Sequence, residues 1–382
     1  MKNFCMPLIC MFLSCSCLFG AGKTISAQER QRLSLIEKAV DFLRKNQAPN
    51  GAFSPQTGIG PTAVVVVGLL DTGMKPDDPM LAKALKLLAD SAQPNGSITS
   101  EGSRFQNYET SLAVVGLSAA NKQLRNADGK GPYDQILLKA ETFLRSCQYT
   151  DANDNVVKEE FRGGVGYAPG QEAKRPDLSN VHFFLDAMKS LGRGPDDPAV
   201  KEALIFVSRC QNLESEHNTL PWAAKNPDGG FVYLVANEAA EKESEERVAS
   251  GREAFIFRSY GSMSYAGLKS MVYAGLTKDD KRIKAAYEWT RKYYTLDENP
   301  GAGQSGLYYY YMLFAKTLDT MGLAVMEDAG GIRHDWRAEL IAALGKRQQA
   351  NGSWVNEINR WMEGDANIVT GYALMALAHC RE

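Results

Sequence analysis

Apolar residues recur at every third or fourth position along most of the chain, in segments of two kinds that alternate. In the first kind, such as LIEKAVDFLRKNQ at 35–47, apolar residues occupy one side of a helix and charged residues the other. In the second kind, such as PTAVVVVGLLDTG at 61–73, apolar residues cover most of the circumference. A one-sided helix suits the outside of a molecule, whereas a helix that is apolar all round is buried. The alternation therefore predicts an outer and an inner layer of helices.

Six such pairs follow one another, and no strand-like alternation of any length competes with them. The one-sided segments are 35–47, 80–93, 133–148, 199–211, 282–294 and 335–349, and the apolar segments are 61–73, 108–121, 179–192, 260–275, 306–322 and 367–380. Repetition of one helix pair is typical of a single repeat domain. We therefore predict one all-α domain of six helix-pair repeats over residues 28–382.

Pairs of acids recur between helices, in GMKPDDPMLAKAL at 73–85, in GRGPDDPAVKEAL at 192–204 and, without prolines, around residue 280. Adjacent acids invite a metal-binding interpretation. However, the second acid of each pair, Asp78, Asp197 or Asp280, stands directly before a predicted helix. A carboxylate there accepts hydrogen bonds from free backbone N–H groups and meets the positive end of the helix. We predict that these acids are N-caps.

The outer helices often end in Gln, and a short turn with glycine and an aromatic residue follows, as in PNGAF and NGSW. This pattern resembles the repeat of squalene cyclases and protein prenyltransferases. The last unit, ALGKRQQANGSWVN followed by NIVTGYALMAL, is the nearest match to their Gln–Trp motif. The resemblance covers nearly the whole chain after the first segment, and it implies an α/α toroid of six inner and six outer helices. Three stretches (260–276, 296–318 and 356–377) further resemble a secreted bacterial group of prenyltransferase and squalene-oxidase repeat proteins.

The chain departs from the chemistry that this resemblance implies. Squalene cyclases protonate their substrate with an acid of a DxDD motif, and in RPDLSNVHF only Asp177 matches, with Ser179 and Asn180 in the other acidic positions. Neither of those side chains is a strong acid. Protein prenyltransferases use a zinc site of Asp, Cys and His, whereas SYGSMSYAGLKSM contains no acid and no cysteine. The four histidines show no metal-binding spacing either, so we expect no metal and no cofactor.

Polar aromatic and charged residues gather near the predicted starts of the inner helices. Four consecutive tyrosines, 308–311, surround most of a helical turn, so one or two of them face the interior. The candidates for ligand binding are Tyr260, Tyr265, Tyr308, Tyr309, Trp354, Arg360 and Trp361, and the candidates for acid–base catalysis are Asp177, His182, Glu363 and Asp365. The alternative is structural: the tyrosines fill a wide core, Arg360 pairs with Glu363, and His182 is a core histidine.

The first segment, residues 1–27, reads as a cleaved signal peptide: Lys2, an apolar run, and the small-residue site Ile25-Ser26-Ala27, with Ala21 as a second candidate. It predicts a secreted or periplasmic protein. A lipoprotein acylated at Cys15 or Cys17 is the less favoured alternative. A membrane anchor is disfavoured because the apolar run is short of about 20 residues, and no other segment is predicted to be transmembrane. The formal charge of −2 shows no excess of positive charge of the kind that proteins use to bind nucleic acid.

Two long insertions, 150–178 and 212–259, interrupt the third and fourth units, and such loops carry function or disorder. Three functions remain open. The first is a toroid that binds or modifies a hydrophobic, isoprenoid-like ligand in its central cavity. The second is an exported enzyme acting on a polysaccharide. The third is a protein-binding module without activity, which a cavity blocked by its own tyrosines would favour. The sequence does not decide the oligomeric state.

Overall fold

The structure is a computed structural model of the chain. It describes residues 25–151, 153, 159–169, 175–220, 223–224, 226–235, 242, 246, 249 and 258–382. Residues 1–24 of the predicted signal peptide and most of the charged stretch at 236–253, which belongs to the second insertion, lie outside the described residues, so the predicted leader stays a prediction. The searched part of the chain holds no helix that is both long and apolar enough to cross a membrane.

Twelve α-helices make up most of the described residues. The outer helices are α1 (Ala27–Asn46), α3 (Pro79–Asp90), α5 (Asp134–Ser146), α7 (Pro198–Arg209), α9 (Lys281–Lys292) and α11 (Trp336–Arg347). The inner helices are α2 (Gly60–Asp71), α4 (Gln106–Gln123), α6 (Leu178–Ser190), α8 (Gly261–Tyr273), α10 (Leu307–Thr320) and α12 (Ala366–Ala378). The described residues also include a hairpin of β1 (Met326–Glu327) antiparallel to β2 (Arg333–His334), and short 3-10 turns at Pro55–Thr57, Glu159–Phe161 and Arg360–Met362.

The inner helices form a closed ring, because each contacts the next and α12 contacts α2. Nearly every residue of α2 is buried, whereas α3 buries only one side, as the two sequence patterns predict. The fold is thus an all-α toroid of six inner and six outer helices, and the predicted fold class is confirmed.

The acid pairs are helix caps, as predicted. The Asp78 side chain accepts hydrogen bonds from the backbone N–H groups of Met80 and Leu81, and the Asp197 and Asp280 side chains each accept one at α7 and α9. Arg44 and Arg145 of the preceding outer helices pair with Asp78 and Asp197. The carboxylates of Asp78 and Asp197 therefore join the start of one outer helix to the outer helix before it.

The Gln residues at the ends of outer helices brace the ring. Each side-chain amide donates to a carbonyl of its own turn and to a carbonyl of a neighbouring outer helix, in Gln47, Gln148, Gln211 and Gln348. Gln93 differs, because its amide donates only to Ser91 and Thr99 of its own turn. The Gln–turn motif therefore fixes the spacing of the outer helices.

Candidate functional site

A cavity of about 440 Å³ opens at one end of the ring, where the inner helices begin. Every inner helix contributes a residue of its first turn to the lining: Gly60, Tyr108, Ser179, Ser262, Tyr309 and Ile368. Ligand cavities of proteins commonly have this size and position within a ring of elements. The topology therefore brings together residues that are more than 300 positions apart in the chain.

Aromatic rings dominate the cavity wall. Six tyrosines, two phenylalanines and one tryptophan line it: Tyr108, Tyr167, Tyr233, Tyr260, Tyr309, Tyr372, Phe105, Phe183 and Trp361. Tyr167 and Tyr233 belong to the two predicted insertions, which thus contribute to the wall. Phe105, Trp361 and Met362 are 51%, 45% and 40% exposed, so the entrance itself is apolar.

Of the four consecutive tyrosines, Tyr309 is the one that lines the cavity. Tyr310 and Tyr311 point outwards, and their hydroxyls donate to the backbone oxygens of Thr295 and Leu296. Tyr308 is buried with its ring edge-on to Tyr311. The helical turn therefore separates one wall residue from three core residues.

The Tyr309 hydroxyl contacts His182, which lies one turn inside α6. Its oxygen is 2.5 Å from His182 Nε2 and 3.3 Å from Ser179 Oγ. His182 is fully buried, and this burial lowers the pKa of its imidazole well below the ordinary value, with nearby Lys269 acting in the same direction. The ring is therefore neutral at pH 7.

Behind His182 lies a buried group of charges on three inner helices. Lys269 Nζ is 3.4 Å from His182 Nδ1 and 2.7 Å from both carboxylate oxygens of Asp186. Lys316 Nζ is 2.8 Å from Asp186 Oδ2. Although Asp186 is buried, the two ammonium groups hold the pKa of its carboxyl far below the usual range. Tyr309 thus connects the cavity to a charged centre of the ring.

Asp177 lies behind the wall as the N-cap of α6. Oδ1 accepts from the Asn180 backbone N–H and Oδ2 from the Asn180 side-chain amide, both at 2.8 Å. Burial raises the pKa of Asp177 to about 6, against hydrogen bonds from Asn180, Tyr233 and Tyr167 that oppose the rise. Its carboxyl is not part of the described lining, so Tyr167 and Tyr233 stand between it and the cavity.

Glu363 and Asp365 are also placed at helix starts. Glu363 Oε1 accepts from the Tyr309 backbone N–H at 2.8 Å, and Oε2 accepts from Asn356 Nδ2 at 2.6 Å. Burial raises the pKa of Glu363 to about 7. Asp365 is the N-cap of α12, where Oδ1 accepts from the backbone N–H groups of Asn367 and Ile368. Both acids lie outside the described cavity lining.

Trp361 covers one side of the entrance and stacks on Tyr260, with ring centroids 6.4 Å apart and planes 12° apart. Trp361 has φ of 55° and Met362 has φ of 64°, the left-handed region that side chains disfavour. The Arg360 guanidinium lies 4.9 Å from the Trp361 ring centre. The sequence-predicted residues Tyr260, Tyr309 and Trp361 therefore meet at the cavity.

Tyr265 and Trp354 are placed elsewhere. Tyr265 packs against Tyr310 and Phe314 between the inner and outer rings. Trp354 is fully buried, and its indole N–H donates to the Leu344 carbonyl at 2.8 Å, below the Gln–Trp turn. These two residues serve the packing of the ring in the described structure, and neither is among the lining residues.

Sequence reasoning missed several wall residues. The Tyr108 and Tyr372 hydroxyls are 2.7 Å apart and join α4 to α12 across the cavity. Glu109 also lines the cavity; Oε2 accepts from the Ser100 backbone N–H at 3.0 Å, and burial raises the pKa of this carboxyl. A usable signal was present, because Tyr108 and Glu109 belong to the first turn of an inner helix, the position that Tyr309 of α10 and Ser179 of α6 also occupy. Among the described residues, no group of His, Cys, Asp and Glu is arranged to hold a metal ion.

Comparison with known proteins gives no match to a family model and no match to a curated protein sequence. Solved structures do match. The type II terpene cyclase MstE from Scytonema, in complex with its substrate geranylgeranyl dihydroxybenzoate, has a TM-score of 0.55 at 14% identity, over 92% of this chain and 98% of its own. Candida albicans protein geranylgeranyltransferase-I, complexed with GGPP, has a TM-score of 0.50 at 15% identity, over 90% of each chain.

A third structure, a possible member of the GH105 family from Salmonella enterica, has a TM-score of 0.50 at 12% identity, over 97% of this chain and 98% of its own. Identities this low establish a common fold and not a common activity. The protein therefore has the α/α-toroid fold of type II terpene cyclases and protein prenyltransferases, as its sequence resemblance implied.

Proposed function

We propose that the protein binds a hydrophobic, isoprenoid-like ligand in its central cavity. The observation that carries the proposal is the cavity of about 440 Å³ with a wall of aromatic rings and an apolar entrance. Burial of an apolar chain against such a wall is favourable by about 25 cal/mol for each Å² removed from water. MstE and the Candida geranylgeranyltransferase, which share this fold, are both described with geranylgeranyl compounds, in keeping with such a ligand.

The proposal does not include DxDD-type cyclisation or zinc-dependent prenyl transfer. Asp177 stands behind the wall, and its two oxygens are occupied by Asn180, while Ser179 and Asn180 replace the other acids of the motif. Among the described lining residues, the groups that could take part in acid–base chemistry on the ligand are the neutral phenols and Glu109. Binding of the ligand is the part that the geometry supports directly.

A saccharide ligand is the second candidate, and the structural likeness to the possible GH105 member favours it. Glycoside hydrolysis by the common mechanisms needs two carboxyl groups that flank the scissile bond. Among the described lining residues, Glu109 is the one carboxylic acid, since Asp177, Glu363 and Asp365 are helix caps outside the lining. The open cavity also weighs against a protein-binding module blocked by its own tyrosines. The hydrophobic ligand is therefore preferred.

Export of the protein belongs to the proposal as well, and rests on the leader at 1–27. Ser26 caps α1, because its Oγ accepts from the Glu29 backbone N–H at 3.0 Å. Cleavage after Ala21 would keep this cap, whereas cleavage after Ala27 would remove it. Amino-terminal sequencing of protein collected outside the cytoplasm would test export and choose between the two sites; uncleaved protein retained inside the cell would contradict export.

The ligand proposal is tested by native mass spectrometry and tryptophan fluorescence with geranylgeraniol and, separately, with neutral and acidic oligosaccharides. We expect the isoprenoid alcohol to bind and to change the fluorescence of Trp361 at the entrance. Ser179→Phe places a large side chain in the cavity and should abolish binding, whereas Ser179→Ala leaves the space open and should retain it. Binding of oligosaccharides and not of geranylgeraniol would contradict the proposal and favour the second candidate.

A further inference from the structure

The hydroxyl of Tyr309 is the end point of a hydrogen-bonded chain that reaches the cavity from the interior of the ring. The chain runs from Asp186 to Lys269, from Lys269 Nζ to His182 Nδ1 at 3.4 Å, and from His182 Nε2 to the Tyr309 hydroxyl at 2.5 Å. Lys269 is 4% exposed and His182 is fully buried, so no bulk water competes for these contacts. The direction of each hydrogen bond can therefore be worked out from the chemistry of the groups.

Lys269 fixes the first direction. A protonated lysine has three N–H donors and no acceptor. Two of its N–H groups are matched by the two oxygens of Asp186, each at 2.7 Å, and the third faces His182 Nδ1. Because an ammonium group cannot accept, the contact of Lys269 Nζ with Nδ1 favours the neutral tautomer in which Nδ1 carries no hydrogen. The ring hydrogen consequently lies on Nε2.

The tautomer of His182 then fixes the direction at Tyr309. With hydrogen on Nε2, the imidazole donates to the phenol oxygen, and the phenol hydrogen must point elsewhere. Its remaining protein partner is Ser179 Oγ at 3.3 Å, which is long for a hydrogen bond between two hydroxyls. Tyr309 and Ser179 both line the cavity. The Tyr309 O–H is thus a donor directed at the cavity with a weak partner.

Four other phenols of the wall have hydroxyls that are engaged by protein partners. The Tyr108 and Tyr372 hydroxyls face each other at 2.7 Å, and either can donate to the other. The Tyr167 and Tyr233 hydroxyls are paired at 3.0 Å next to the buried Asp177 carboxyl. Tyr167 and Tyr233 hydrogen-bond to that carboxyl, so Tyr309 is distinguished from these four by a hydroxyl whose remaining protein partner, Ser179 at 3.3 Å, is weak.

We propose that Tyr309 donates a hydrogen bond to an oxygen atom of the ligand, so that the cavity recognises an oxygenated isoprenoid-like molecule, with His182 and Lys269 as positioning residues. This inference rests on the proposed function and names the ligand more closely: an alcohol, carbonyl or carboxylate on an apolar chain. Burial of the phenol raises its pKa well above the ordinary value, which keeps the hydrogen on Tyr309 over the physiological range.

The test measures the affinity of the full-length protein and its variants for two probes. One probe is geranylgeraniol, and the other is the hydrocarbon with the same carbon skeleton but without the hydroxyl. In Tyr309→Phe we expect the affinity for the alcohol to fall about tenfold and the affinity for the hydrocarbon to stay unchanged. Tyr372→Phe is the matched control, since it removes a neighbouring wall hydroxyl that the chain does not orient; it should affect the two probes equally. The retained hydrocarbon affinity also shows that each variant is folded.

His182 is tested in the same cycle and by its tautomer. His182→Leu should lose most of the alcohol-specific affinity, whereas His182→Gln, which keeps an N–H donor, should restore part of it. Nitrogen-15 spectra of the ring should show hydrogen on Nε2 and none on Nδ1.

The outcomes separate the two proposals. If neither probe binds the wild type, the proposed function falls. If both bind but Tyr309→Phe weakens them equally or not at all, the ligand proposal stands and the inference about Tyr309 is overturned. Hydrogen on Nδ1 of His182 would overturn it as well, because the phenol would then be the donor to the imidazole.

Discussion

The acids near the entrance act first on the backbone. Asp177, Asp365 and Glu363 stand at the starts of inner helices, and each accepts hydrogen bonds from first-turn N–H groups. Gly306, the residue before α10, has no side chain that could do this, and Glu363 reaches the same N–H groups from another loop. Inner helices that all begin at one end of a ring leave many unpaired N–H groups there, and carboxylates are good partners for them. Acids that look catalytic in sequence are thus required structurally.

Glu363 gives a prediction at this scale, because its pKa is about 7 in the folded protein against 4.5 for the free side chain. The folded state therefore binds the proton more tightly than the unfolded state, and stability is lost as the pH rises from about 4.5 to 7. At roughly 1.4 kcal/mol for each unit of pKa, this loss is about 3 kcal/mol. Glu363→Gln has no carboxyl to titrate at this position. The unfolding free energy of the variant should therefore fall less than that of the wild type over this pH range.

Urea unfolding of both proteins at pH 5 and pH 7.5 is the measurement. Asp177 and Glu109, whose pKa values are also raised, contribute equally to the two proteins and cancel. Glu357→Gln, a change at an exposed residue of the same loop, is the control and should follow the wild type. Parallel stability profiles for wild type and Glu363→Gln would show that the buried carboxyl does not titrate in this way.

At the scale of the element, the glycine-containing turn after an outer helix is the repeated feature that contacts the next outer helix. The turn glycine Gly352 has φ of 92°, and a Cβ atom there would lie 2.2 Å from the carbonyl oxygen of Lys38 in α1. Glycine is thus needed for two separate reasons, the backbone conformation and the close approach of the next outer helix. The Gln348 side-chain amide donates hydrogen bonds to the carbonyl of Gly352 in the turn and to the carbonyl of Leu35 in α1, so it links the two segments that meet here.

A pair of substitutions separates the two reasons. Gly73 has φ of 95°, nearly the same as Gly352, but a Cβ there would meet nothing within 4 Å. Gly73→Ala should therefore cost only the backbone strain, about 1–2 kcal/mol. Gly352→Ala should cost about 2 kcal/mol more, since α1 must move away. Thermal or chemical unfolding measures both, and equal losses would refute the role of the helix contact.

At the scale of the whole molecule, the ring closes where the first inner helix meets the last. A Cβ on Gly68 of α2 would lie 2.7 Å from the Gly371 carbonyl oxygen, and a Cβ on Gly371 of α12 would lie 2.7 Å from Val64 Cγ1. Neither glycine has a positive φ, so close packing alone requires them. Val64 also lines the cavity, so the closure of the ring affects the shape of the cavity.

Gly371→Ala should therefore lower the unfolding free energy by about 1–3 kcal/mol and weaken ligand binding together. Gly345→Ala in α11 is the control: a Cβ there meets only the flexible end of Gln31, at 3.0 Å, so the change should be neutral or stabilise the helix by up to about 1 kcal/mol. Calorimetry and the geranylgeraniol titration give both readouts. A Gly371→Ala protein as stable as Gly345→Ala would contradict close packing at the seam.

The sequence by itself determined the helices, their alternation between outer and inner layers and the Asp caps, because periodicity and capping are local properties of the chain. The toroid was implied by the resemblance of the repeat to squalene cyclases and protein prenyltransferases. The sequence also indicated that Tyr260, Tyr309 and Trp361 lie near the mouth of the ring, where the cavity is found. It could not separate Tyr309 from Tyr308, or tell that Glu363 caps a helix from a distant loop. Those facts depend on how far each inner helix is rotated about its own axis when the ring closes. Only the packing of helices far apart in sequence decides that rotation, so the identity of the wall belongs to the tertiary structure.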